Sequence, residues 1–283
     1  MHQVSSKILF NIEISSTYFK MELDCPEIAS KAIPGQFIMV RVSNQWDPFL
    51  RRPFSIHRIR RSGDKGRGTG RDAHIDILYK VAGKGTEIMS EMREGDEIDV
   101  LGPVGNGYII DSNPGTVILV GGGIGVAPLL SLAEEIISQY GKLKSILLFL
   151  GGKGRDDILC VEDFKGLGID VRVATEDGSL GYRGVVTNIL SDYIDSGDYT
   201  QGRSILCFAC GPESMLREVA KITFEKKIQC QISLETRMAC GLGACLGCVV
   251  KTGDKIRGRE SAIDYRRVCM EGPVFDSNDV IWE

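Results

Sequence analysis

Over its first hundred positions the chain alternates short apolar runs with turn residues. Positions 36–42, 54–60, 74–81 and 97–101 read as strands, and Pro34-Gly35, positions 62–72 and Gly95-Asp96 read as turns. The 62–72 run, SGDKGRGTGRD, is glycine-rich and basic and reads as a hairpin tip with no role of its own. Regularly spaced short strands predict an antiparallel Greek-key β-barrel over 1–105, interrupted by one short helix at 86–92. Beyond position 113 the period changes. Positions 128–140 place Leu129, Leu132, Ala133, Ile136 and Ile137 on one helical face. Strand-like runs at 116–120, 145–150, 170–174 and 204–209 alternate with helical patterns at 128–140, 161–165, 185–191 and 213–226. That alternation predicts a doubly wound parallel α/β domain over 106–231. Residues 232–283 remain as a small C-terminal segment, so the fold class is α+β multidomain.

Positions 114–133 carry no charge and match a membrane span in length. Gly121, Gly122, Gly123, Gly125 and Pro128 interrupt the stretch, which fits a strand, a turn and a helix start instead. The N-terminus shows no basic region followed by an apolar one, so no secretory signal is read there. With 43% hydrophobic and 25% charged residues the chain has an ordinary globular composition. A net charge of −4 argues against general nucleic-acid binding. Nine cysteines, several at metal-ligand spacing, place the chain in a reducing compartment, read as the cytoplasm.

Four of those cysteines carry the sharpest chemical signal. Cys240, Cys245 and Cys248 follow C-x4-C-x2-C, and Cys269 comes after twenty more residues. This is the plant-type spacing for a [2Fe–2S] cluster, whose two irons take four thiolates. Gly241, Gly243 and Gly247 permit a tight loop with amides turned to sulfur. A structural zinc site is the rival, but zinc ordinarily takes two short ligand pairs rather than three cysteines in one glycine-rich loop. Cys25, Cys160, Cys207 and Cys230 lack metal-ligand spacing.

Other motifs suit nucleotides. Gly121, Gly122, Gly123 and Gly125, closed by Pro128, sit where a strand passes into a helix, so backbone can approach a pyrophosphate at a helix N-terminus. Cys210-Gly211-Pro212 lies at the end of another strand, where ligands of parallel sheets collect. Arg52 offers a forked cation suited to a diphosphate, followed by Pro53, Phe54 and Ser55. Gly83-Lys84-Gly85-Thr86 opens the short helix, with Thr86 read as its N-cap. Each of these is weak alone.

Together, and in this order, the motifs resemble the ferredoxin–NADP reductase superfamily, with its R-x-[YF]-S flavin motif, proline-closed glycine loop and C-G-P turn. The wording from Ser233 to Cys248 and from Val268 to Phe275 is similar to one subfamily, the electron-transfer subunits of NAD-dependent (class 1B) dihydroorotate dehydrogenase. DPFLRRPFS at 47–55, LYKVAGKGT at 78–86, LGPVGNG at 101–107 and TEDGS at 175–179 resemble it too, so the likeness spans the chain. It implies FAD held by Arg52, Pro53, Phe54, Ser55, Leu78, Tyr79, Lys80, Gly85 and Thr86. It implies NAD at the glycine loop and Cys210–Pro212, and a cluster on Cys240, Cys245, Cys248 and Cys269. It further implies an FMN-containing catalytic partner in an α2β2 heterotetramer. That partner oxidises dihydroorotate in pyrimidine biosynthesis, and electrons pass through the cluster and FAD to NAD⁺. No residue of this chain is then assigned to dihydroorotate chemistry. Phe54 departs from the tyrosine common in the superfamily, and the 248–269 gap is long for the subfamily. Lys153 and Arg155 leave NADP open. Rival readings are the small subunit of a sulfide dehydrogenase or NADH-dependent ferredoxin–NADP oxidoreductase, an oxygenase reductase, and a non-enzymatic redox sensor. The four-cysteine spacing, the late cluster and the two nucleotide motifs argue against them in turn. Lys251, Lys255, Arg257, Arg259, Arg266 and Arg267 make the cluster segment basic; most read as solvated charge, and some as suited to an acidic partner surface.

Overall fold

Six antiparallel strands close into a barrel: β1 (His2–Ser15), β2 (Tyr18–Asp24), β3 (Phe37–Arg41), β4 (Arg52–Arg60), β5 (His74–Lys80) and β6 (Glu97–Val104). Their order around the barrel is β1-β2-β5-β4-β3-β6, a Greek-key arrangement. The computed structural model describes residues 1–43, 45–61, 73–110, 114–141, 145–197, 204–253 and 263–282. The turn expected at 62–72 lies outside the described residues, as do Lys255, Arg257 and Arg259. Alternate residues fill the barrel: Ile8, Met21, Leu23, Ile38, Val40, Ile56, Ile75, Ile77 and Tyr79 form one core. The boundary between β1 and β2 was not legible because their turn carries neither Gly nor Pro. Thr17 takes the left-handed conformation there instead, with φ 65°.

The expectation of a single helix in the barrel is corrected. Pro26–Ala29 forms a four-residue helix, α1, started by a proline at its first turn and anchored by buried Ile28 and Ala29. The second helix, α2, spans Lys84–Glu91, and Gly83 is its N-cap. Thr86 is therefore not the cap. It sits one turn in and reaches back, its hydroxyl oxygen accepting from the amides of Ala82 (2.9 Å) and Gly83 (3.2 Å).

The second layer is a seven-stranded sheet built on β7 (Thr116–Gly122), β8 (Ser145–Gly152), β9 (Asp170–Thr175), β10 (Tyr182–Arg183), β11 (Ile205–Cys210) and β12 (Gln229–Ser233). Its order is β10-β9-β8-β7-β11-β12, all parallel, closed by the antiparallel β15 (Val274–Asp276). Between them lies a hairpin, β13 (Val249–Gly253) with β14 (Ile263–Arg267). Four helices cover the sheet: α3 (Ala127–Tyr140), α4 (Val161–Gly166), α5 (Val186–Ser196) and α6 (Glu213–Glu225). Val117, Leu119 and Leu148 pack with Leu129, Leu132 and Phe164 on one face. Ile118, Val120 and Phe149 pack with Leu190, Leu216 and Val219 on the other. Burial on both faces explains why these strands read as continuous apolar runs. The C-terminal strand β15 was not expected in the sheet. It covers the backbone groups of β12 that an open edge would leave unpaired.

The barrel is held to the sheet by charge and by one histidine. Arg58 of β4 reaches Glu134 (3.1 Å) and Asp163 (3.0 Å), and Arg60 also meets Glu134 (3.3 Å). His57 is fully buried; its Nδ1 donates to the Ala127 carbonyl (2.8 Å) and its Nε2 stands 3.8 Å from the Cys160 thiol. Among the described residues no helix is long and apolar enough to cross a membrane.

Burial pushes His57 down to about 4, with the Ala127 carbonyl opposing. A histidine depressed in the folded state contributes stability above its unfolded pKa and loses it as pH falls toward the folded value. Chemical unfolding of wild type and His57→Gln across pH 6.5 to 4 checks this. The stability difference between them should shrink by about 1.4 kcal/mol per pH unit on acidification. A difference independent of pH would contradict it.

Candidate functional site

The first cleft lies between barrel and sheet and encloses about 730 Å³. Arg52, Pro53, Phe54 and Thr86 form its barrel wall; Gly211, Pro212, Thr236 and Met238 face them. Strand β4 presents Arg52 at its first position, and Phe54 meets the edge of Tyr79 with ring centroids 5.9 Å apart. A side chain at Gly85 would come within 2.5 Å of Arg52 Nε, so the guanidinium rests on the start of α2. The two weak motifs of the barrel are thus one site, a fork of N–H donors above a helix N-terminus. Thr236 Oγ1 is buried here without a hydrogen-bond partner. A flavin fits this donor set: Arg52 offers a cation suited to a diphosphate, and Thr236 a hydroxyl suited to a polar ring edge.

The second cleft, about 640 Å³, opens over the carboxyl ends of the parallel strands. Gly122, Gly123 and Gly125 bound it on one side, with Cys210, Gly211 and Pro212 on the other. A Cβ on Gly125 would fall 2.3 Å from the Cys210 carbonyl oxygen, so glycine alone lets the two turns touch. Pro128 sits in the first turn of α3, behind the loop. Lys80 and Tyr18 reach in from the barrel. Tyr18 donates to Asp157 (2.5 Å), and Lys80 donates to Tyr18 (3.0 Å). Burial works against ionising Asp157, but the Tyr18 hydroxyl and the Lys153 amide hold it below the usual carboxylate range. Burial pushes the Cys210 thiol up to about 12, keeping it neutral, although a Ser233 hydrogen bond opposes this. Lys153 lines the cleft beside Glu176, whereas the Arg155 guanidinium donates to the Ser179 carbonyl at 3.1 Å.

Several expected residues stand elsewhere. Leu78 and Tyr79 point to opposite cores, so their side chains line neither cleft. Ser55, Gly121 and Pro128 also line neither, whereas Gly85 lies directly under the Arg52 guanidinium. Sequence reasoning did not single out Glu235, which borders both clefts together with Gly211 and Pro212. Its only signal was its place just before the cysteine loop.

In that loop Gly241 (φ 67°) and Gly243 (φ 77°) take left-handed turns as expected. Gly247 does not; Leu246 (φ 57°) makes the third turn instead. These turns aim amides at sulfur. The N–H groups of Leu242 (3.3 Å) and Cys245 (3.4 Å) donate to Cys240, that of Gly243 (3.2 Å) to Cys269, and that of Gly247 (3.4 Å) to Cys245. Burial raises the Cys240 thiol, but the Leu242 and Cys245 amides outweigh it and bring it down to about 6. Burial and the adjoining Cys248 push Cys269 up to about 11. The thiols adjoin in two pairs, Cys240 beside Cys245 and Cys248 beside Cys269. One tetrahedral zinc would draw all four sulfurs to about 3.8 Å from one another. Among the described residues the only three such ligand atoms mutually within 4.8 Å belong to Glu22, His74 and Asp76. Two thiol pairs wrapped in N–H donors fit two irons.

Comparison with known proteins agrees. Residues 235–281 match the iron–sulfur cluster binding domain of dihydroorotate dehydrogenase B, and residues 119–221 match the oxidoreductase NAD-binding domain. The chain is 36% identical over 278 residues to the dihydroorotate dehydrogenase B (NAD⁺) electron transfer subunit of Desulforamulus reducens, covering 98% of each. It is 38% identical over 280 residues to that of Caldanaerobacter subterraneus subsp. tengcongensis, covering 99% of each. The chain belongs to the dihydroorotate dehydrogenase B electron transfer subunit family. Among solved structures, an NADH-dependent reduced ferredoxin–NADP oxidoreductase studied for flavin-based electron bifurcation superposes with a TM-score of 0.79. That match has 28% identity over 99% of this chain and 90% of the other. A ferredoxin NADP⁺ reductase from Neisseria gonorrhoeae shares the fold alone, with a TM-score of 0.61 and 14% identity over 80% of this chain and 92% of the other.

Two outcomes follow for the family member described here. Cys245→Ala should lose the iron–sulfur absorbance and keep bound flavin, while Cys25→Ala and Cys230→Ala keep both; an intact iron–sulfur spectrum in Cys245→Ala would refute the ligand set. Arg52→Ala should weaken FAD retention by roughly 1.5–3 kcal/mol, the loss of one charge-assisted contact. Flavin release on dilution measures it, and unchanged retention would remove Arg52 from the diphosphate site.

Proposed function

We propose that this chain carries electrons between a catalytic dihydroorotate dehydrogenase subunit and NAD⁺. Convergence supports this reading. Gly211, Pro212 and Glu235 border both clefts, and the flavin cleft is lined by Thr236–Met238 and Val249–Val250, the two stretches flanking Cys240 to Cys248. When bound, the cluster supplies single-electron transfer, and FAD couples single electrons to a hydride pair. Cys240, Cys245, Cys248 and Cys269 hold the irons, with four backbone amides stabilising the thiolates. Arg52 and the start of α2 bind the flavin diphosphate. Phe54 and Thr236 bound its ring. Gly122–Gly125 receive the pyrophosphate of NAD at the head of α3, and Glu176, at the end of β9, accepts from a ribose hydroxyl and repels a 2′-phosphate. The neutral Cys210 thiol would exclude water from the second cleft, and Pro212 from both.

The chain divides into a flavin barrel (1–105), a nucleotide domain (106–231) and a cluster segment (232–283). It assembles with an FMN-containing catalytic subunit as an α2β2 heterotetramer in the cytoplasm. The exposed Cys245, Leu242 and Leu246 face that subunit.

A coupled assay tests the proposal. The purified chain should oxidise NADH with a dye acceptor and leave dihydroorotate untouched. Adding the catalytic subunit should confer NAD⁺-linked dihydroorotate oxidation. Cys245→Ala should abolish the coupled activity and spare the dye activity. Dihydroorotate oxidation by the chain alone, or coupling without the cluster, would reverse the assignment.

A further inference from the structure

On the face of the barrel turned away from its core, Glu22 of β2 stands directly opposite Asp76 of β5. His74 lies two residues along β5, on the same face. One ligand atom from each of the three lies within 4.8 Å of the others, and His74 Nε2 is 3.4 Å from Glu22 Oε2. The redox sites use none of them. Helix α3 packs on β4 and β5, and Asp76 is 3% exposed and His74 6%. Asp76 Oδ1 is buried without a hydrogen-bond partner, a state that costs free energy unless something compensates it. Two cations, Arg58 and Lys20, stand nearby. Arg58, across from Asp76 on β4, donates to Glu134 and Asp163. The Lys20 ammonium lies over the Phe10 ring, 5.6 Å from its centroid. Two carboxylates and one imidazole thus face one another at a largely buried site.

Two ligands spaced i, i+2 on one strand, with a third directly across on its neighbour, converge on one point above the sheet. Imidazole with carboxylates is the donor set of divalent first-row transition metals. We propose that Glu22, His74 and Asp76 bind one such ion, of the Zn²⁺ or Mn²⁺ class, where the barrel meets the nucleotide domain. The ion gives Asp76 Oδ1 its missing partner and pins β2 to β5 beneath the Arg58 ion pairs. It stands apart from the electron path and has a structural role.

Mn²⁺ is the probe, because thiolates discriminate against it and neither the oxidised cluster nor oxidised flavin gives an EPR signal. The FAD- and cluster-loaded chain is dialysed against a chelator and titrated with Mn²⁺, and free Mn²⁺ is read by EPR. Wild type should bind one Mn²⁺ per chain, with a Mn²⁺-dependent rise in Tm. H74A and D76N should bind it at least about tenfold more weakly, without the rise. Flavin and cluster absorbance report whether each variant folds, and E22Q decides if D76N does not. Equal binding in wild type and variants, or no bound Mn²⁺, overturns the proposal.

Discussion

The redox half of the molecule depends on one short ladder between β12 and β15. Gln231 pairs with Asp276, Ile232 with Phe275 and Ser233 with Val274. Two further bonds extend the seam: the Leu234 amide donates to Pro273 (2.9 Å), and the Ser277 amide donates to Cys230 (2.9 Å). These contacts return the end of the chain to the edge from which the cysteine segment departs. The segment is then a closed excursion of the sheet rather than a loose tail. Asn106, at the end of the barrel, fastens it again, its amide donating to the Gly272 carbonyl at 2.6 Å. Cys248, Val268, Cys269 and Phe275 pack into one core with Met39 and Leu101 of the barrel. Electron transfer demands short, fixed separations, and this edge fixes the cysteine loop against the walls of the flavin cleft.

The same logic governs the junction of barrel and sheet. The two clefts share Gly211, Pro212 and Glu235, so barrel and sheet need one defined orientation. Arg58 and Glu134 are 16% and 11% exposed, a burial at which losing one partner strands the other's charge. His57, kept neutral, spends its one N–H on Ala127 at the head of α3, the helix that follows the nucleotide loop. The orientation is thus set beside the glycine loop itself. The turns touching at Gly125 carry it to Gly211, which borders both clefts.

Much of this was legible in the sequence because local spacing encodes it. The period switch near 113 reported the passage from barrel to wound sheet, and the cysteine spacing reported the cluster. What stayed hidden was set by contacts distant in sequence. β15 reads as three unremarkable residues until β12 leaves an edge for it to cover. Leu78 and Tyr79 sit in a recognisable word, yet a strand sends neighbours to opposite faces, and both faces here are cores. Thr86 looks like a cap by type, but Gly83 takes that place and leaves the threonine hydroxyl to reach back. Leu246 turns left-handed where Gly247 was the sterically easier choice, since the loop is held by its amide–sulfur bonds rather than by local preference. Glu235 gains its position only when the two clefts are superimposed on one wall.

The central claim is that flavin cleft, nucleotide cleft and cysteine loop form one continuous path. Anaerobic addition of NADH to the purified chain, with EPR of the frozen sample, tests it most directly. The signal of a reduced [2Fe–2S] cluster is expected in the flavin-loaded chain, and none after flavin is stripped. A cluster that stays oxidised in the loaded chain, or that NADH reduces without flavin, would contradict it.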